Sequence, residues 1–371
     1  MSQHALDRRG AFLAEGVAPC GCHAARSAAS SWVIANAIEH HWMRNAKGMS
    51  MSGKTVFVAG ATGVIGRRLV PVLLEAGHRV TAVGRTAEKR ARLEEVGATA
   101  APVDLFDADA VRRAVRGHDV VVNMATHIPP SSRIFVPGAW RQNDGVRRRV
   151  SANLAAAVLA TGAERMIQES FAPIYEDGGD RWIEEDGPVR TARYNRSVLD
   201  AEAAAERVTR AGGIGVVLRF SYFYGADSDS TQDMMRYARR GRAPVIGSPD
   251  AYMSSVALDD AARAVVAALG VPAGRYNVTD DRPVTRREFA ETLAAALGAP
   301  PPKFFPAWVA ALGGSLGAML ARSQRISNAK FEAASSWRPR YPSVNEGWRA
   351  TVSEAMRKDA RSNGSASMGR R

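Results

Sequence analysis

Gly60, Gly63 and Gly66 recur at every third position in the stretch 54–66, Lys-Thr-Val-Phe-Val-Ala-Gly-Ala-Thr-Gly-Val-Ile-Gly. Glycines at that spacing, after an apolar run and ahead of a helical pattern, suit the turn that cradles a diphosphate. Gly60 can take the tight turn, Gly63 keeps a Cβ out of the way of the phosphates, and Gly66 lets helix and strand pack closely. Thr62, Val64 and Ile65 complete the turn, where free amides and the positive end of the helix dipole face the ligand. The chemistry implied is the binding of a dinucleotide. Arg85, in Gly84-Arg85-Thr86 at the end of the next strand pattern, is the second candidate. An acid in that place grips a ribose 2′-hydroxyl, whereas an arginine accommodates a 2′-phosphate, so NADP(H) is expected in preference to NAD(H). A charge-assisted bond of this kind is worth roughly 1.5 to 3 kcal/mol, enough to set the preference.

Those residues need a strand–turn–helix frame, and the pattern supplies one. Val56, Phe57 and Val58 read as a strand buried on both faces, and the residues from Val64 to Glu75 carry helical periodicity. The alternation continues: strand Arg79 to Val83, helix Ala87 to Val96, strand Ala98 to Val103, helix Ala108 to Arg116 capped by Asp107, strand Asp119 to Asn123. Asp104 and Leu105 follow the third strand at its carboxyl end, where ligands sit in such sheets. Ala125 and Thr126 follow the fourth and are small enough for backbone to lie against a cofactor. His127 comes next, a residue type that ordinarily titrates near neutrality, placed to face a nicotinamide. A long helix is expected from about Trp140 to Thr161, strand five over Arg165 to Ser170, a helix from about Thr191 to Arg210, and strand six over Gly215 to Arg219. The fold class is therefore α/β, a Rossmann-like doubly wound parallel sheet with a smaller C-terminal substrate lobe. Residues 53–225 form the nucleotide-binding core, to which 250–280 return, and 226–350 mainly form the lobe.

The ordered landmarks resemble the short-chain dehydrogenase/reductase superfamily, in its extended, NAD-dependent epimerase/dehydratase branch. They are Gly60 to Gly66, Val103-Asp104-Leu105, Asn123-Met124-Ala125, Gln168-Glu169-Ser170, Val217-Leu218-Arg219 with Tyr224-Gly225, Val256 to Ala262, Arg275 to Val278 and Trp337-Arg338-Pro339. The resemblance covers roughly Lys54 to Trp348. It implies a Ser or Thr hydroxyl acting with a Tyr-x-x-x-Lys, the lysine favouring phenolate one helical turn away. Tyr194 stands in the tyrosine place, but Val198 stands in the lysine place and Phe171 in the hydroxyl place, with Ser170 one residue early. Tyr194 and His127 are the catalytic candidates, and Tyr175, a second phenol after strand five, is a third. Two readings stay open: an oxidoreductase or epimerase-type enzyme acting on a small carbonyl- or sugar-type substrate, or a non-catalytic NAD(P)-binding regulator that senses redox state. Ala257 replaces a histidine common before Asp259-Asp260, so that pair reads as a helix cap.

The chain carries 50 Lys and Arg against 37 Asp and Glu, a net charge of +13, which raises the question of a polyanionic partner. The basic residues are scattered, and the densest run, Arg147-Arg148-Arg149, cannot share one helical face, so a solvated surface is expected and no nucleic acid. The apolar stretch Phe304 to Ala321 is interrupted by Pro306, Gly313, Gly314 and Gly317, which predicts one or two buried helices and no membrane partner. Cys20-x-Cys22-His23 misses the spacing of a zinc site, so no metal is expected. Residues 1–52 read as a poorly ordered extension, with Met49 and Met51 just ahead of the first strand, and 351–371 as a frayed tail. A cytoplasmic protein with a small-molecule substrate follows, and a homodimer is compatible with the pattern.

Overall fold

The computed structural model describes residues 53–136, 138–306 and 308–368. The extension and its Cys-x-Cys-His cluster lie outside them. Seven strands form the central sheet: β1 (Thr55–Ala59), β2 (Arg79–Val83), β3 (Thr99–Ala101), β4 (Val120–Asn123), β5 (Arg165–Phe171), β6 (Ile214–Phe220) and β7 (Gly274–Val278). Their order is β7-β6-β5-β4-β1-β2-β3, every pairing parallel. The chain leaves β3 at one edge and re-enters beside β1 as β4. That reversal is the switch point at which such sheets open a crevice for ligands.

Alternate residues of the strands supply two apolar layers, as a pleated sheet covered on both faces requires. Val56, Val58, Val120, Val122, Ile167 and Leu218 face α1 (Gly66–Glu75) and the later helix Leu258–Ala267. Phe57, Val121 and Met166 face the opposite layer, built from α2 (Ala108–Val115), α3 (Ser151–Thr161) and α4 (Ser197–Arg210). A separate core joins Tyr224, Met235, Phe289, Leu293, Trp348 and Val352, with Trp348 packed against Tyr224 and Phe289 at ring separations of 5.1 and 5.3 Å. Its helices are α5 (Asp229–Arg239), α6 (Arg286–Leu297) and α7 (Val344–Met368).

Several expectations from the sequence are corrected. The helix expected over 140–161 is made of three pieces: α-helical Arg141–Gly145, a π turn over Val146–Val150, and α3. Within the π turn Arg147 is 3% exposed and pairs with Glu169 at 3.1 Å, so only Arg148 and Arg149 of the triple-arginine run lie at the surface. The helix expected from Thr191 begins at Ser197, because contacts with other segments hold 192–196 in turns: Asn195 is buried and donates to the Met319 sulfur at 3.3 Å. Tyr194 is therefore not helical. Ala257 occupies the N-cap of Leu258–Ala267, with Asp259 and Asp260 inside the first turn. Asp260, buried, instead accepts from the backbone amides of Arg340 and Tyr341. The expected tail is the second half of α7, which reaches Met368 and buries Val352 and Ala355 in the second core. The 304–321 stretch yields two short helices, Val309–Leu312 and Gly314–Leu320, and they are only partly buried, with Trp308 and Leu312 exposed. Among the described residues no helix is long and apolar enough to cross a membrane.

Candidate functional site

The glycine turn is shaped as the spacing demands. Gly60 has φ +80°, and a Cβ on it would lie 2.4 Å from the Met124 carbonyl and 2.6 Å from the Ala125 nitrogen, since β1 and β4 are neighbours. A Cβ on Gly66 would lie 2.2 Å from the Gly60 oxygen. Gly63 differs: its Cβ would meet only the Gly60 oxygen, at 3.3 Å, a tight contact that a shift of a few tenths of an ångström relieves. Thr62, Val64 and Ile65 cross from turn to helix, and Ile65 takes the N-cap position without a capping side chain. The Arg67 and Arg68 amides are taken by the carbonyls of Gly63 at 3.1 Å and Ile65 at 2.9 Å, whereas no backbone carbonyl among the described residues takes the Val64, Ile65 or Gly66 amide, and these keep their capacity for an anion. These residues fit a dinucleotide diphosphate.

Around this cradle stand the strand ends. Arg85 is exposed, and its guanidinium has no partner among the described residues. The loop carrying it is fixed by Arg90, whose Nη1 donates to the carbonyls of Gly84 at 3.2 Å and Arg85 at 3.4 Å. Asp104 turns its carboxylate back to accept from the Phe106 amide at 2.9 Å, and the Leu105 carbonyl accepts from Asn153 at 3.0 Å. Ala125 is half-buried, its amide held at 3.1 Å by Asn123, and Thr126 is exposed. His127 is half-buried and its backbone amide donates to Asn143 at 2.8 Å.

Segment 140–144 links His127 to the tyrosine candidate. Asn143 holds His127, Trp140 packs on the Tyr194 ring at 4.4 Å, and Asp144 accepts from Ser197 at 2.6 Å. The Tyr194 hydroxyl points to the Met319 sulfur at 3.3 Å. Burial pushes its pKa well above that of an ordinary phenol; Tyr222 adds to this, and Arg147 and Arg322 pull it back. The cations acting on Tyr194 thus come from the π turn and from the residues after Gly314–Leu320. Val198, in the lysine place, is fully buried.

Tyr175 is an interior residue. Its hydroxyl donates to Asn277 and accepts from Arg219, both at 2.8 Å, and burial pushes its pKa up to about 12. Arg219 also makes a two-pronged pair with Glu202 at 2.8 and 2.7 Å, and Glu202 takes the Ser170 hydroxyl at 2.5 Å. Ser170 therefore faces away from Phe171, which packs edge-on against Tyr222 at 5.9 Å.

Tyr222 and Arg286 have no warning in sequence spacing. Both line a cavity of about 450 Å³ whose wall includes Ile134, Met234, Met253 and Leu320. Ile134 and Leu320 also belong to the apolar cluster around Tyr194 and Phe171, so the cavity and the tyrosine share a wall. Burial raises the Tyr222 phenol to about 12 against the pull of Arg286 and Arg322. Arg67 and Arg68, also unforeseen, tie α1 to the entrance of α5: both pair with Asp227, and Arg68 also with Asp259. Among the described residues no group of three or more His, Cys, Asp or Glu could hold a metal ion.

Comparisons with known proteins agree with this geometry. The model of the NAD dependent epimerase/dehydratase family matches residues 56–279. A 3-diazoavenalumate denitrifying reductase from Streptomyces sp. is 32% identical over 303 residues, 79% of this chain and 98% of that protein. A 2-alkyl-3-oxoalkanoate reductase from Shewanella oneidensis is 26% identical over 66% of each chain. Of the solved structures, human epimerase family protein SDR39U1 with NADPH superposes with a TM-score of 0.68 at 23% identity, covering 81% of this chain and 99% of that one. UDP-glucose 4-epimerase from Thermus thermophilus with NAD gives 0.64 at 25%, covering 82% and 99%.

Proposed function

The chain belongs to the NAD(P)-dependent epimerase/dehydratase family, and from that premise we propose that it is an NADPH-dependent reductase of a small carbonyl compound held in the cavity beside Tyr222. The observation that carries this reading is the shared wall: Ile134 and Leu320 line the cavity and also pack around Tyr194. Tyr194 does not itself line the cavity, so a substrate there would meet the phenol only once its hydroxyl turns from the Met319 sulfur. The reductase relatives favour reduction over epimerisation.

Gly60, Gly63 and the amides of Val64, Ile65 and Gly66 would hold the diphosphate, Ala125 and Thr126 would lie along the cofactor, and the unpartnered Arg85 would take a 2′-phosphate. When bound, the reduced nicotinamide supplies hydride. The chain's own contribution is positioning and a hydrogen bond. With its pKa raised by burial, Tyr194 stays protonated at neutral pH and donates from its hydroxyl to a carbonyl oxygen, so it acts as donor and acid rather than as phenolate base. Apolar walls keep water from the reacting carbon. His127, beside Thr126, is the next proton carrier in line.

Purified protein with NADPH and a panel of aldehydes and ketones tests the reading, cofactor consumption being followed optically. Turnover with at least one carbonyl supports it; tight NADPH binding without turnover on any would overturn it in favour of a regulatory role. Calorimetric titration of NADPH and NADH, repeated on Arg85→Ala, tests the cofactor assignment. The parent should prefer NADPH by about ten- to a hundredfold and the variant should lose that preference.

A further inference from the structure

Arg286 opens α6 and is 2% exposed. Its Nη2 donates to the carbonyls of Leu320 at 2.6 Å and Arg322 at 2.7 Å, while its Nη1 has no hydrogen-bond partner. The residue lines the 450 Å³ cavity, with Nη1 itself closed off from solvent in the free protein. A buried guanidinium with an unsatisfied amino group is expensive, because neither water nor protein replaces the lost solvation. No carboxylate is within ion-pair distance of it among the described residues. The acid on the cavity wall, Asp233, is paired with Arg236. Burial accordingly pulls the Arg286 pKa below the ordinary arginine value, in keeping with a cation short of a counter-charge.

The rest of the lining states what else the ligand must be. Ile134, Phe135, Met234, Val245 and Met253 are apolar, and the Tyr222 phenol sits among them. We infer that Arg286 is an anion-recognition point, so that the substrate is a small carbonyl compound bearing a single carboxylate on an apolar body. This rests on the proposed reductase reading and names its substrate class. One guanidinium amino group can neutralise one carboxylate. It cannot offset the desolvation of a diphosphate among methionine and phenylalanine side chains, so a nucleotide sugar does not fit this cavity. Methionines give the apolar half an adaptable shape.

The test uses the full chain saturated with NADPH and three probes, hexanoate, its neutral counterpart hexanamide, and UDP-glucose, each titrated by calorimetry. Hexanoate should bind about ten- to a hundredfold more tightly than hexanamide, the difference of one charge-assisted contact, and UDP-glucose should not bind. Arg286→Met should erase the difference between acid and amide while NADPH affinity stays as in the parent. Because Arg286 also ties Leu320 and Arg322, that variant could unfold; Met234→Glu, which puts a negative charge on the same wall, then serves, and it should abolish hexanoate binding before hexanamide binding. Equal affinities for acid and amide in the parent, or tighter binding of UDP-glucose than of hexanoate, would overturn the inference. Failure here is separable from failure of the reductase reading. A protein that turns over neutral ketones as fast as oxo acids keeps the reductase activity and loses the anion site.

Discussion

The hydroxyl of Tyr194 points at the sulfur of Met319, 3.3 Å away, across 125 residues of sequence. A thioether is a weak acceptor, so the phenol is held in place without giving up its proton. Tyr194→Phe should lower turnover by about ten- to a hundredfold with little change in KM, short of the roughly hundred- to ten-thousandfold of full acid–base catalysis. Unaltered kinetics on a confirmed substrate would move the chemistry to His127.

The three glycines of the turn should separate by function. Gly66→Ala forces a Cβ to 2.2 Å from backbone and should destabilise the fold, whereas Gly63→Ala meets nothing nearer than 3.3 Å in the free protein. Gly63→Ala should leave the melting temperature within a few degrees of the parent and weaken NADPH binding more than tenfold. Parallel melting and calorimetric curves check both; a Gly63→Ala variant that binds NADPH normally would remove the diphosphate from this turn.

Glu202 and Arg219 form a buried pair, each side chain 4% exposed. Glu202→Gln leaves the guanidinium charged and short of its counter-ion, and should cost about 3 to 5 kcal/mol of stability. Urea unfolding measures it, and a loss below about 1 kcal/mol would show that the network relaxes around the change.

Glu332 supplies a pH dependence. Burial, then a hydrogen bond with Asp281 and its charge, push its carboxyl up to about 7 from 4.5, against the pull of Arg338 and Asn328. The folded value lies above the unfolded one, so its contribution is fully present below about pH 4.5 and is lost as pH rises through about 7. Glu332→Gln keeps a neutral donor at every pH. Its stability should match the parent near pH 4.5 and exceed it above pH 7, a difference that denaturation midpoints at the two pH values would reveal.

The glycine turn, the alternation of strands and helices behind the doubly wound sheet and the Asp107 cap were legible because each depends on local spacing, whereas the strand order is set by contacts far apart in sequence. The setting of Tyr194 was not. Its position outside the helix follows from Asn195 and Met319, and the cations acting on it, Arg147 and Arg322, are 47 residues before and 128 after in the sequence. Arg147 reads as a solvated arginine in the sequence because its inward orientation accompanies a π turn, and no periodicity announces one. Arg286 resembled an ordinary first-turn arginine, since burial is decided by the Leu320 and Arg322 carbonyls packed over it. Val198 shows the same lesson in reverse: restoring a lysine there would bury an ammonium group in the core rather than rebuild the family's tyrosine–lysine pair.

Arg68 leaves α1, the helix that would receive the diphosphate, and grips Asp227, two residues ahead of the helix that lends Met234 and Tyr237 to the cavity. A cofactor held at α1 and a substrate held in the cavity would therefore stand at opposite ends of one chain of charged contacts, and whatever each did to the other's affinity would be returned by the same factor. Since Asp259, the other carboxylate on Arg68, is mostly exposed, that factor carries an ionic signature: added salt should loosen the mutual dependence of the two ligands before it weakens the cavity's grip on an apolar body.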